Sequence, residues 1–183
     1  DIFLPTQLKG VALKDLLEQV SGLSPEFGVS VVAKDGYAMT FSHEQIVNGD
    51  FITYDPATGD EISIADPLTV ILAYERDGQP LPEDSEGPLR ISVVTSQNNQ
   101  VVDGHWTVKW VNQVVLKSFG QAWTLQLEGA VSEEMDRGTF ESCMAAGCHQ
   151  ATWTDEQARE WSGVPLWLLL GYADDETRHG DDA

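Results

Sequence analysis

Gly163-Val164-Pro165-Leu166-Trp167-Leu168-Leu169-Leu170 repeats a pattern already met near the start of the chain, in Gly10-Val11-Ala12-Leu13-Lys14-Asp15-Leu16-Leu17. Both read G-V-x-L-x-x-L-L, and each follows an apolar residue two positions before its glycine, Leu8 in one case and Trp161 in the other. Apolar residues so spaced describe a chain that enters a short helix and buries one face of it. The glycine permits a close backbone approach or a positive φ at that entry. Two such copies with different sequence between them predict a chain that begins inside one module and ends inside the next.

The 183 residues suffice for one large domain or two small ones, each with a core. A hydrophobic content of 42% with six tryptophans points to a globular protein. No run of about 18 apolar residues occurs, so no membrane-spanning helix is expected. Thirty acidic residues against ten basic ones give a net charge of −20, which repels phosphate backbones and anionic headgroups. Nucleic acid and acidic membranes are therefore poor partners. The charge reads most simply as solubility or a saline habitat, and alternatively as a face for a basic redox partner. Two cysteines do not make a disulfide scaffold. The start, Asp1-Ile2-Phe3-Leu4-Pro5, has neither an initiator Met nor a signal peptide and reads as a processed or excised segment. On that reading an extracytoplasmic location is expected.

Between the two copies the pattern is mostly β. Val29–Ala33 is rich in β-branched residues, Asp35-Gly36 signals a hairpin turn, and Tyr37 to Phe41 returns. Ser42 with Gln45 three residues on opens a short helix that Asn48-Gly49-Asp50 stops. Tyr54 to Asp60 is turn-rich, and the nearly apolar Leu68–Tyr74 is the expected central strand. Leu89–Val94 and Trp106–Leu116 read as further strands, with Gly120 marking a seam. After it, Trp123–Val131 is an expected strand, Glu133–Gly138 a charged turn, and Thr139–Gly147 a short helix or strand. His149 to Thr154 leads to an expected loop before the second G-V-x-L-x-x-L-L, and the tail from Asp174 onward is polar and expected in solvent. The predicted fold class is α+β, a β-rich mixed-sheet module with short helices.

Five motifs in order carry a resemblance. After G-V-x-L-x-x-L-L come A-x-D-G-Y (Ala33-Lys34-Asp35-Gly36-Tyr37), D-G-x-P-L (Asp77-Gly78-Gln79-Pro80-Leu81), G-P-L-R (Gly87-Pro88-Leu89-Arg90) and V-K-W-V (Val108-Lys109-Trp110-Val111). The set resembles the oxidoreductase molybdopterin-binding domain of the sulfite oxidase family. In that family the module opens with a strand like Trp123–Val131, passes a cysteine and reaches W-x-G-V-P-L-x-x-L-L. Residues 1–118 are thus expected to be the later part of one such module. Residues 119–183 are expected to be the opening part of a second, completing the first within the chain or by exchange with a second copy.

The resemblance implies a pterin-bound molybdenum (or tungsten) held by a cysteine thiolate and exchanging electrons and oxygen with a small substrate. By position Cys148 is the matching metal ligand, with Cys143 the alternative. His105 and Lys109 fall where the family holds the pterin phosphate, with Arg90 in support. The residues also bear plainer readings. Either cysteine also reads as a small buried hydrophobe or half of a local disulfide, and Lys109 and Arg90 also read as surface positions of strands. The stretch Ser142 to His149 lacks the C-x-G-N-R-R of the sulfite-oxidising members, and ten basic residues are few for burying a phosphate and an anionic metal centre. A cofactor-free binding or structural module on the same scaffold is therefore the competing expectation.

Other constellations are weaker. Cys143, Cys148 and His149 form a widened version of the C-x-x-C-H haem attachment site. His149, Asp174, Asp175 and His179 carry metal-ligand chemistry without a ligand spacing, and His43 reads as a first-turn helix residue. Asp55 to Glu61 lacks the calcium-loop frame. No G-x-S-x-G, P-loop, H-E-x-x-H or Rossmann glycine pattern occurs.

Overall fold

A computed structural model describes residues 6–20, 22–118, 123–144 and 149–174. Strand β1 (Leu8–Ala12) runs directly into helix α1 (Leu13–Val20), followed by β2 (Phe27–Ala33), β3 (Ala38–Phe41) and α2 (His43–Val47). Next come β4 (Thr53–Tyr54), β5 (Glu61–Ile62), β6 (Thr69–Arg76), β7 (Gln79–Pro80), β8 (Arg90–Val94) and β9 (Val101–Val102). A 3-10 turn at Gly104–Trp106 leads to β10 (Val111–Ser118). Beyond it lie β11 (Thr124–Glu128), β12 (Ser132–Asp136), α3 (Arg137–Cys143), β13 (Ala151–Thr154), β14 (Glu160–Gly163) and α4 (Leu166–Gly171).

The apolar run around Leu68–Tyr74 does become a central strand: β6 is flanked by β1 on one edge and by β7 and β8 on the other, all antiparallel. A second sheet runs β10-β2-β3 and a third, of short strands, β5-β4-β9. Between them lies one core, built from Leu13 and Leu17 of α1, Val29 and Val31 of β2, Phe41 of β3, Val70 of β6 and Ile91 of β8. Of the two roles open to Gly10, close approach is the one realised. It sits at a register shift opposite Ala73, where a Cβ would stand 2.4 Å from the Leu72 carbonyl oxygen. The capping box is complete: the Ser42 hydroxyl accepts from the Gln45 amide at 3.1 Å, and the Gln45 side chain accepts from the Ser42 amide at 2.9 Å. Gly49, at φ +67°, ends α2 against the Leu68 carbonyl.

Three local expectations fail. Trp106–Leu116 is not one strand. Trp106 closes the 3-10 turn, Val108 bridges to Ile91, and Trp110 turns at φ +48° before β10 joins β2 in the other sheet. That turn is fixed by the Trp110 amide donating to the Glu86 carbonyl at 2.8 Å and by its indole donating to the Glu83 carbonyl at 2.8 Å. Glu133–Asp136 is not a turn but most of β12, whose alternation buries only Met135. The approach to the second G-V-x-L-x-x-L-L is a hairpin, β13–β14, not a loop.

The later segment packs on the earlier one. Gly138 of α3 lies so close to Ser42 that a Cβ would stand 2.5 Å from the serine Cβ. Lys117 of β10 meets Glu141 of α3 at 2.5 Å. This covers the outer face of β3, so that Thr40 is buried as well as its neighbours Met39 and Phe41.

Candidate functional site

A cleft of about 80 Å³ opens where α3 and α4 meet the earlier segment. One wall begins at the helix stop after α2 and presents Asp50, Phe51 and Tyr54, with Gln45 of α2 beneath. A second wall is the 3-10 turn. Asp103 caps it, its Oδ1 accepting from the His105 amide at 2.9 Å and lying 2.9 Å from His105 Nδ1. The Tyr37 hydroxyl donates to the His105 carbonyl at 3.3 Å. Trp106 completes this wall, packing on Phe51 and Phe41 with ring centroids 5.3 and 5.5 Å apart.

The third wall comes from beyond residue 122: Thr139, Ser142 and Cys143 of α3, then His149, Leu168 and Tyr172. Asp136 holds the start of α3 by accepting from the Thr139 amide at 2.7 Å, and the Ser142 hydroxyl donates to the Thr139 carbonyl at 2.7 Å. His149 stands edge-on to Trp167, ring centroids 5.5 Å apart. Burial raises the Tyr54 phenol above its ordinary pKa, and the carboxylates of Glu61 and Asp103 push it the same way.

Of the residues nominated from the sequence, His105 and Cys143 line the cleft, on different walls. Arg90 does not: its guanidinium contacts the buried Glu86 carboxylate, which it shares with Arg76, and its Nε donates to Ser92 Oγ at 3.0 Å. Lys109 is exposed between Val108 and Trp110 and is not in the lining either. Cys148 lies outside the described residues, as do Asp175 and His179. Among the described residues no three His, Cys, Asp or Glu side chains gather as a metal site. His43 sits in the first turn of α2, 3.0 Å from Glu44. Sequence reading missed Asp50, Tyr54 and Tyr172. The helix stop at Gly49 marks the first wall, but nothing local announces that α3 and α4 close it.

A family profile, oxidoreductase molybdopterin binding domain, matches residues 3–122. The chain belongs to this family. No curated protein and no solved structure matches it. In this molybdopterin-binding-domain chain, the matched part supplies two walls of the cleft, and the third lies beyond the match.

The donors present can be compared with what the family's cofactor needs. A thiol, two imidazoles and two phenols suit a metal and a pterin ring. The phosphate needs charge-assisted donors, and the charged side chains among the described lining residues are the carboxylates Asp50 and Asp103. A volume of about 80 Å³ is also well below the roughly 300–1,000 Å³ of ordinary cofactor sites. The described cleft does not fit the whole cofactor.

Proposed function

We propose that this chain is a binding module on the oxidoreductase molybdopterin-binding scaffold, with a cleft for a small neutral or cationic group and not for a phosphate-bearing pterin. The observation that carries this reading is that Asp50 and Asp103 share one cleft with the aromatic side chains Phe51, Tyr54, Trp106 and Tyr172. Carboxylates beside aromatic rings attract cations. A buried phosphate there would meet like charge without compensation. Elemental analysis of protein purified from its native source tests it, and molybdenum and tungsten at background level are expected. Near-stoichiometric molybdenum or tungsten, lost on Cys143→Ser or Cys148→Ser, would overturn the reading.

That outcome would establish the second reading, a redox domain holding a pterin-bound molybdenum. It is favoured by Cys143 and His105 sharing the cleft. There Cys148 or Cys143 supplies the thiolate and His105, Lys109 and Arg90 meet the phosphate, which requires Arg90 to leave Glu86. Iron with a Soret band would point instead to the Cys143, Cys148 and His149 haem arrangement.

A further inference from the structure

The two copies of G-V-x-L-x-x-L-L end in opposite environments. In the first, Gly10 lies against β6, and Leu13 and Leu17 are 0% and 4% exposed. In the second, a Cβ on Gly163 would meet nothing within 4 Å, and Leu166 and Leu170, which match Leu13 and Leu17, are 69% and 59% exposed. Among the described strands β14 pairs with β13 alone, whereas β1 pairs with β6. α4 nonetheless packs within the chain through its other face, where Leu168 is buried. Leu168 matches Asp15, a solvent-facing residue of α1. So α4 is apolar on two faces. It uses the face its counterpart leaves polar, and leaves open the face its counterpart buries.

We infer that β14–α4 is a docking element for a β6-type strand of a further module of this same fold. The first copy specifies what covers the motif: an apolar strand paired antiparallel, a small residue such as Ala73 opposite the glycine, and a core that receives both leucines. Gly163 admits the incoming backbone, and Leu166 and Leu170 enter the core beneath it. Trp161, at the position of Leu8, extends the same edge. A second copy of this chain is not the occupant. Its β6 already has β1 on one edge and β8 on the other, and −20 charges on each copy oppose association.

The test is a tandem protein in which residues 22–118, which keep β2, β3, β6 and β8 but lack β1 and α1, follow residue 183 through a flexible linker, so that docking becomes intramolecular. Amide exchange in Glu160–Gly163 and Leu166–Gly171 is expected to slow by about tenfold or more relative to the natural chain. Tryptophan emission is expected to shift to the blue. Gly163→Val, and separately Leu166→Asp with Leu170→Asp, are expected to return exchange to the natural chain's rates and to shift emission back to the red relative to the unsubstituted tandem protein. These side chains are open in the natural chain, so near-UV circular dichroism checks that its fold survives the substitutions. Unchanged exchange in the tandem protein, or protection that survives those substitutions, overturns the inference. So does a natural chain that sediments as a dimer and becomes monomeric on Leu166→Asp with Leu170→Asp, since the face would then belong to a second copy.

Discussion

Residues 8–118 and residues 123–174 are built to different standards of burial. Of the buried apolar residues among those described, seventeen lie in the first segment and three, Met135, Leu168 and Ala173, in the second. Three sheets enclose the first segment's core, whereas the second has two separate hairpins and two short helices. Two-stranded ribbons are marginal in water, so the second segment depends on what it packs against. Part of that support is visible where α3 lies over β3, with Gly138 against Ser42 and Glu141 meeting Lys117. Much of its remaining apolar surface is open, at Trp153, Trp161, Leu166, Trp167 and Leu170. The same eight-residue pattern thus serves as core in one segment and as surface in the other.

The largest expected effect separates the two copies directly. Leu13→Ala should cost about 2–5 kcal/mol in urea unfolding, while Leu166→Ala should stay within about 0.5 kcal/mol. Equal costs would break the contrast. Next comes the glycine pair: Gly10→Ala drives a Cβ into the Leu72 carbonyl and should cost about 1–3 kcal/mol, against a negligible change for Gly163→Ala. Ser42→Ala, which removes half of the capping box at the base of the cleft, should cost about 1 kcal/mol. A thermal melt in which it is silent would mean that α2 is held by α3 and not by its own cap.

The smallest effect is local and belongs to the second segment. The Trp161 indole, donating at 3.0 Å, holds the Asp155 carboxyl below the usual carboxylate range, with the Arg159 and Gln157 amides and the Arg159 side chain adding to it. A lowered folded-state pKa stabilises the hairpin above the ordinary value near 3.8 and loses that stabilisation as pH falls below it. Trp161 side-chain resonances should therefore shift on acidification through that range in the native chain and stay flat in Asp155→Asn.

Much of the earlier segment was legible because its signals are local. Ser42 and Gln45 announce a cap, Asp35-Gly36 announces a turn, and Leu68–Tyr74 announces a central strand. The errors fell where a distant partner decides. Trp106–Leu116 looks continuous, but the Glu86 carbonyl captures the Trp110 amide and sends the chain to another sheet. Glu133 and Glu134 look like a turn until β11 pairs with them. The cleft shows the same division. His105 and Cys143 stand out by residue type, whereas Asp50, Tyr54 and Tyr172 gain meaning only by meeting.

By itself the sequence determined the family, the α+β class and the existence of two copies of one pattern, because motifs, caps and apolar periodicity act over a few residues. Only the tertiary structure decided that the first copy is core and the second is an open face. It also decided that Arg90 serves Glu86 and not the cleft, and that the cleft's charge is negative. Those outcomes depend on which surfaces residues far apart in the chain bring together, and burial and pairing are properties of that meeting and not of either partner alone.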